Sequence, residues 1–329
     1  MNGSMGKILV LYLSLLITTL SSEGLGDKSS TQSAYRILEL VDKNLASAKS
    51  SGFSSSLPFT TISYAQTLDG SIAPLTKTRL NISSAFSIKL LHSLRAQHSA
   101  ILVGINTVIC DQPLLNVRHS LPGVSPISPR PIIIDTNLRL SELDYIRVQN
   151  PIICTILNQT DERWQKASDK LTRYCNGGDL LTCHKGTNNR CDLEDCLRKL
   201  RSVFGISSVL VEGGAGVLQS VLEQRLANQI VLTLRPCFFG GFRAMTRQLP
   251  DVTSIQDVTA ASVGGDIVLH GRLHRYGDNR QCLSTFKTNE KMNKHDNDDC
   301  MIDEKHKDTT SIRIQDIEIN RENVAFIVE

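Results

Sequence analysis

Two groups of residues in this 329-residue chain have the types and spacing for ligand chemistry. The first is the run Glu212-Gly213-Gly214-Ala215-Gly216. A carboxylate stands directly before glycines that let the backbone turn sharply and approach a ligand closely. Free N–H groups at the start of a following helix suit a phosphate or pyrophosphate. The run is neither a full G-x-G-x-x-G nor a P-loop, so it serves equally well as a tight strand–helix turn without a ligand. The second group is the pair Arg95 and Arg118, whose planar forks can grip a phosphate. Their alternative roles are a helix-end cation facing the dipole for Arg95 and a solvated loop arginine for Arg118. Thr107 and Asp111 are small polar groups after a strand and alone would read as loop caps. Asp135-Thr136 closes another strand and is a weaker candidate, while Asp69 before Gly70 reads as a turn residue. Cys183-His184, Cys191 and Cys196 are the one cluster that suggests zinc. It contains no C-x-x-C pair, and with nine cysteines in no obvious framework, reduced thiols are the simpler account.

The elements that must hold these residues follow from the apolar pattern. Val209–Val211 is a short buried strand, Val217, Leu218, Val221, Leu222 and Leu226 lie on one face of a helix, and Ile230–Leu234 is the next strand. Upstream, Thr60–Ala65 suits a strand, Ser83-Ser84 can cap a helix with Phe86, Leu90, Leu91 and Leu94 on its buried side, and Ala100–Gly104 is a strand. That strand is expected to end in a polar loop from Asn106 to Pro113. Ile132–Ile134, Ile152–Leu157 and Leu180–Cys183 are further strands. Helices are marked by Trp164, Ala167, Leu171 and Tyr174 and by Leu193, Cys196, Leu197, Leu200 and Val203, the latter stopped by Gly205. Alternating strands and helices imply an α/β fold, a mostly parallel central sheet with flanking helices. Asp266–Leu273 looks like a closing antiparallel strand.

A net charge of +3 is too small to argue for nucleic acid, and no basic stripe is interleaved with aromatics. Lys7 precedes the apolar run Ile8–Leu20, which has the length of a signal or presequence and is short for a membrane span. Residues 1–56 read as leader and linker outside the main fold, despite a helical patch at Ala34–Ala48 with Ile37, Leu38, Val41 and Leu45 on one face; this stretch is too short to hold a second catalytic domain. Residues 277–329 read as a polar, largely disordered tail. The core suits an intracellular compartment, cytoplasm or organelle. The sequons at Asn81 and Asn158 matter only on a secretory route.

Five ordered segments, Tyr64-Ala-Gln-Thr-Leu-Asp-Gly70, Leu91-His-Ser-Leu-Arg-Ala96, Ala100–Val108, Asp111–Arg118 and Val211-Glu-Gly-Gly214, resemble the riboflavin-biosynthesis reductase family. The family is the reductase domain fused to a deaminase in bacteria and standing alone in fungi and archaea. The resemblance implies a dihydrofolate-reductase-like fold with an antiparallel C-terminal hairpin, a reductase domain over residues 57–276 and a homodimer. It further implies NADPH as cofactor and reduction of the ribosyl group of a pyrimidine 5′-phosphate to ribityl. Cofactor contacts fall by resemblance on Ala65, Thr107, Asp111 and Gly214, Ala215, Gly216, Val217, Leu218, Gln219 and Ser220, with Thr136 as a weaker candidate. Substrate contacts fall on Arg95, Leu115, Arg118 and Glu212, and Glu212 is the nearest candidate for a proton donor.

Bacterial members carry a lysine where this chain has Ile62, and the Tyr-Ala-Gln-Thr-Leu-Asp form is closer to the fungal pattern. The resemblance therefore favours the diamino substrate, 2,5-diamino-6-ribosylamino-4(3H)-pyrimidinone 5′-phosphate. The alternatives are 5-amino-6-(5-phosphoribosylamino)uracil, a pterin-type substrate on the same fold, or a non-catalytic binding homologue.

Overall fold

Aliphatic and β-branched runs build one nine-stranded sheet in the computed structural model, which describes residues 25–50, 56–76, 81–186 and 188–273. In chain order the elements are α1 (Leu25–Ser50), β1 (Phe59–Thr67), β2 (Ser71–Ala73), α2 (Ala85–Gln97), β3 (Ala100–Gly104), α3 (Ile105–Asp111), β4 (Arg130–Ile134) and β5 (Ile152–Thr155). They continue as α4 (Glu162–Tyr174), β6 (Asp179–Thr182), α5 (Leu193–Phe204), β7 (Ser208–Gly213), α6 (Ala215–Glu223), β8 (Gln229–Arg235), β9 (Phe242–Arg243), β10 (Ile255–Val263) and β11 (Asp266–Leu273). The sheet order is β10-β11-β8-β1-β7-β3-β4-β5-β6. Strands β8 through β6 run parallel, and β11 and β10 close the edge antiparallel. Strands β3 to β6 run outward on one side, and the chain then returns to lay β7 between β1 and β3. Reversal of strand order there leaves a crevice at the carboxyl ends, where open α/β sheets bind ligands.

The period-two alternation of the strands divides the core between the two sheet faces. Val209, Val211, Ile132 and Ile152 pack with Leu197 and Leu200 of α5 and Leu218 and Val221 of α6. Ile133 and Ile153 turn the other way, toward Ala167 and Leu171 of α4. Leu210 and Val231 meet α1 and α2 through Ile37, Val41, Leu90 and Leu94. Ser84 caps α2 by accepting from the Ser87 N–H at 3.2 Å.

Two expectations are corrected. Helix α1 lies on the fold instead of outside it: Ala34, Ile37, Leu38, Val41 and Leu45 are buried against α2 and the β10–β11 hairpin. The Ser30 hydroxyl also accepts from the Gly264 N–H at 3.0 Å, and Gln97 donates to the Leu38 carbonyl at 3.1 Å. Without this stripe, Leu90, Leu94, Val263 and Val268 would face water, so burial overrides the polar, serine-rich composition of the segment. Ile37→Ala is expected to lower unfolding stability by about 2–5 kcal/mol in urea titration, as for a core truncation. A change within about 0.5 kcal/mol, typical of a surface site, would contradict this packing.

The polar loop expected after β3 is instead the short helix α3. Ile105 and Val108 are buried one turn apart, and Gln112 ends the helix in a left-handed conformation at φ 43°. The apolar leader Ile8–Leu20 and the tail from 277 onward lie outside the described residues. Among the described residues no helix is long and apolar enough to cross a membrane.

A buried polar chain ties α1 to the sheet. Asn44 donates to Gln229 Oε1 at 2.8 Å, Gln229 donates to Thr61 Oγ1 at 3.0 Å, and Thr61 lies 2.7 Å from His98 Nε2. His98 Nδ1 lies 2.7 Å from the Leu94 carbonyl, which can only accept. His98 is thus the neutral tautomer with its proton on Nδ1, and the Thr61 hydroxyl donates to Nε2. Burial pushes the His98 pKa down to about 4. The unfolded chain then binds more protons than the folded one between pH 4 and the ordinary histidine value, so this residue's contribution to stability falls as pH drops through that window. His98→Gln should flatten the slope of stability against pH from about 6.5 to 4. An unchanged slope in urea titrations across that range would count against the assignment.

Candidate active site

Strand ends and the segments after them place most of the chemistry-bearing residues around one cleft of about 990 Å³. Its walls carry Tyr64 and Ala65 from β1, Gly104 from β3, Ile134 from β4, Glu212 and Gly213 from β7, and Thr233 from β8. Gly214 and the opening residues of α6 close one end, and Arg95 and Leu115 line the floor on the α2 side.

The backbone around Glu212 explains why its carboxylate reaches the cleft. Leu102 pairs with Val211, but Val103 pairs with Gly213, so Glu212 is an extra residue in the β3–β7 ladder. Such a bulge re-aims a side chain and interrupts the ladder. The chain then passes through Gly213 at φ 134° and Gly214 at φ 57° and ψ 137°, conformations that residues with a Cβ rarely adopt. A Cβ on Gly214 would also stand 3.1 Å from Thr107 Oγ1. Helix α6 starts without a side-chain cap, and its first residues, Ala215 and Gly216, line the cleft. Its Val217 closes tightly on β3, with Cγ2 3.1 Å from where a Gly104 Cβ would lie.

Arg95 and Glu212, both expected to contact substrate, meet each other. Arg95 Nε and Nη2 donate to the two Glu212 oxygens, each at 2.6 Å, and Nη1 donates to the Asn116 carbonyl at 2.9 Å. The side chains are only 9% and 10% exposed. Burial opposes the Arg95 charge, yet the adjacent carboxylate and its hydrogen bonds prevail and hold the pKa above the usual guanidinium value. The fork expected to grip a phosphate is therefore filled by a carboxylate of matching geometry.

Arg118 is not on the cleft wall. It is exposed, donates through Nη1 to Asn116 Oδ1 at 2.5 Å, and its N–H donates to His92 Nδ1 at 3.1 Å. It thus stands behind Arg95 through the shared Asn116. Gln219 is likewise drawn away from the cleft. Its side chain is buried, accepts from the Thr246 N–H and hydroxyl at 3.2 and 3.0 Å, and donates to Glu223 and the Arg247 carbonyl. It fastens the segment after β9 to α6, because consecutive helical residues cannot all face one side.

The other predicted positions, Ala65, Thr107, Asp111, Leu115, Thr136, Gly214, Ala215, Gly216, Val217, Leu218 and Ser220, line the cleft. Leu115 does so from a left-handed conformation at φ 52°. Asp135 also borders the cleft, but its buried carboxylate accepts from the Arg139 and Leu140 N–H groups at 3.0 and 2.8 Å. Burial raises its pKa against the pull of those bonds. Asp69 anchors its turn, accepting from Thr67, Ser71 and the Phe239 and Gly240 N–H groups. The Thr67 and Ser71 hydroxyls hold its carboxyl well below the usual range.

Arg139 and Arg190 line the same wall and were not singled out in the sequence. Arg139 donates to Asn106 Oδ1 at 2.6 Å, and Arg190 Nη1 lies 3.5 Å from the Cβ position of Gly216. A cation four residues after the strand-end Asp135 was the readable signal for the first; Arg190 had none.

Ile62 is buried in the core, paired with Val211 and Ile230, and is absent from the cleft wall.

Comparison with known proteins agrees with this architecture. A yeast protein from Saccharomyces cerevisiae, 2,5-diamino-6-ribosylamino-4(3H)-pyrimidinone 5′-phosphate reductase, is 31% identical over 226 residues, spanning 66% of this chain and 87% of its own. The riboflavin biosynthesis protein RibD of Actinobacillus pleuropneumoniae is 30% identical over 64% of this chain and 56% of the bacterial one. The solved structure of the riboflavin biosynthesis reductase Rib7 from yeast superposes with a TM-score of 0.55 at 25% identity, covering 72% of this chain and 99% of that one. The RibD structure from Acinetobacter baumannii, at 22% identity and a TM-score of 0.55, shares the fold. The model of the RibD C-terminal domain matches residues 58–269, and with the cleft and the sheet order this shows that the chain belongs to that family, the reductases of riboflavin biosynthesis.

Proposed function

We propose that the cleft reduces the ribosyl group of 2,5-diamino-6-ribosylamino-4(3H)-pyrimidinone 5′-phosphate, using NADPH. The observation that carries this reading is the continuity from Glu212 to α6: a substrate-side carboxylate lies three residues before a helix start suited to a pyrophosphate. Preference for the diamino compound rests on the yeast relative, whose length this chain matches almost throughout.

The cradle fits the cofactor by one structural test. Gly214 leaves open the space that a Cβ would fill against Thr107. NADPH supplies the hydride when bound. The Ala215 and Gly216 N–H groups would hold its pyrophosphate, and Thr107, Asp111 and Thr136 would offer hydrogen bonds along the same wall. Arg139 and Arg190 add positive charge there.

On the substrate side, Glu212 is an acceptor already oriented by two guanidinium donors. Its remaining lone pairs can receive amino or hydroxyl groups of the substrate, so its role is to position the ribosylaminopyrimidine. Proton donation by Glu212 fits this arrangement less well, because both oxygens already accept from Arg95. The family homodimer belongs to the same reading, and light scattering should give twice the chain mass.

The test is NADPH oxidation by the full chain, with the diamino and deaminated phosphates offered separately. Turnover of the diamino compound is the expected result. Preference for the deaminated compound would place the chain in the bacterial order of steps. NADPH binding without turnover of either would move the assignment to another reductase on this fold, and absence of binding would favour a non-catalytic homologue.

A further inference from the structure

Four cysteines share one buried cluster of the core, and one of them, Cys191, also borders the cleft. Cys154 comes from β5, Cys183 follows β6, Cys191 lies in the connecting loop and Cys196 sits in the first turns of α5. All four are at most 5% exposed. The sulfurs of Cys154, Cys183 and Cys196 all lie within 4.8 Å of one another. Cys191 packs in the same buried cluster, and its thiol donates to the Cys154 carbonyl oxygen at 3.5 Å.

The loop that closes this group is built tightly. Lys185 and Cys191 form an antiparallel bridge, Gly186 donates to the Arg190 carbonyl at 2.7 Å, and Asp192 donates to the His184 carbonyl at 2.9 Å. The fold-back brings Cys183 and Cys191 to the side where α5 presents Cys196. Cys191 and Cys196 are separated by four residues, within the ligand spacing of structural zinc sites.

We propose that Cys154, Cys183, Cys191 and Cys196 form a structural zinc site. Four zinc–sulfur bonds of about 2.3 Å in a tetrahedron separate the sulfurs by about 3.8 Å, so Cys154, Cys183 and Cys196, already within 4.8 Å of one another, need only a small contraction, and Cys191 would swing in from the same cluster as the fourth ligand. Zn²⁺ would displace four thiol protons, leaving a net charge of −2 on the centre. The charges nearest the cluster are a matched pair: the Lys199 ammonium lies 2.8 Å from the Asp195 carboxylate and donates to the Thr182 carbonyl at 3.0 Å. Sequence spacing had favoured reduced thiols, because Cys154 joins the cluster only through the sheet.

The consequence concerns the cleft wall. Residues 188 to 191 line it, so a metal held by Cys183 and Cys191 pins both ends of that loop. The proposal stands independently of which pyrimidine is reduced.

The test uses the full chain, made without a metal-affinity tag and kept reduced. Elemental analysis should find about one zinc per chain after desalting. Replacement by Co²⁺ should produce the intense near-ultraviolet sulfur-to-metal band and visible d–d bands of a tetrahedral thiolate centre. Cys183→Ala and Cys196→Ala should lose both signals, while Cys175→Ala, another buried cysteine outside the cluster, should keep them. If the two cluster variants do not fold, the zinc content and cobalt spectrum of the unaltered chain still decide. A metal-free folded chain with its thiols titratable overturns the proposal, and so does a disulfide among these four cysteines in peptide mapping.

Discussion

Glu212→Ala is expected to lower stability by about 3–5 kcal/mol and to reduce kcat/KM by two orders of magnitude or more. The stability loss arises because the Arg95 guanidinium stays buried when its partner goes. It is 9% exposed and keeps only the Asn116 carbonyl among the acceptors that now hold it. In a domain of this size the melting temperature should drop by roughly 10 °C. The catalytic loss has a separate origin, the missing acceptor on the substrate side. The double variant Arg95→Met with Glu212→Leu separates the two. Replacing a buried ion pair by apolar residues of similar volume is often close to neutral for stability. The double variant should therefore melt well above Glu212→Ala and still fail to turn over substrate. Recovery of activity in the double variant would show that the pair is purely architectural. Calorimetry and steady-state NADPH oxidation on the three proteins decide the matter.

Gly214→Ala should raise the KM for NADPH about tenfold or more, corresponding to at least about 1.4 kcal/mol of lost binding. Two effects act together. The backbone at φ 57° and ψ 137° carries about 1–3 kcal/mol of strain for a residue with a Cβ. The new methyl also meets Thr107 Oγ1 at 3.1 Å, so either the hydroxyl or the start of α6 must shift. Both lie on the proposed cofactor wall. Gly205→Ala is the control: Gly205 also has positive φ, 66°, but a Cβ there meets nothing within 4 Å and the residue ends α5 away from the cleft. That variant should lose stability and keep its NADPH KM. Equal KM values for all three proteins would remove α6 from the cofactor site.

Local pattern was enough for much of the frame. The apolar strand runs, the helix faces around Leu90 and Leu197, the Ser84 cap and the Gly205 stop follow from periodicity and capping chemistry, which act within a few residues. The glycine turn after Glu212 was also legible, since positive φ is a backbone requirement met by residue type. The short helix α3 was not, because its polar residues match a loop and its stability comes from burying Ile105 and Val108. Composition misled about α1 for the same reason. Its serines say nothing of the apolar surface on α2 and β11 waiting to be covered.

The site itself was divided between the two levels. Residue types marked Glu212, Arg95 and Thr107 as the material of a ligand site. Only the β7 bulge and the crossing of α2 under the sheet could show that Arg95 spends its fork on Glu212, 117 residues away, and that Arg118 and Gln219 stand off the wall. The same holds for Cys154, which reaches Cys183 and Cys196 across neighbouring strands and a helix. Sequence determines which groups exist and what each local segment can form. Contacts between distant segments depend on strand order and register, and a single extra residue in a ladder decides which side chains meet.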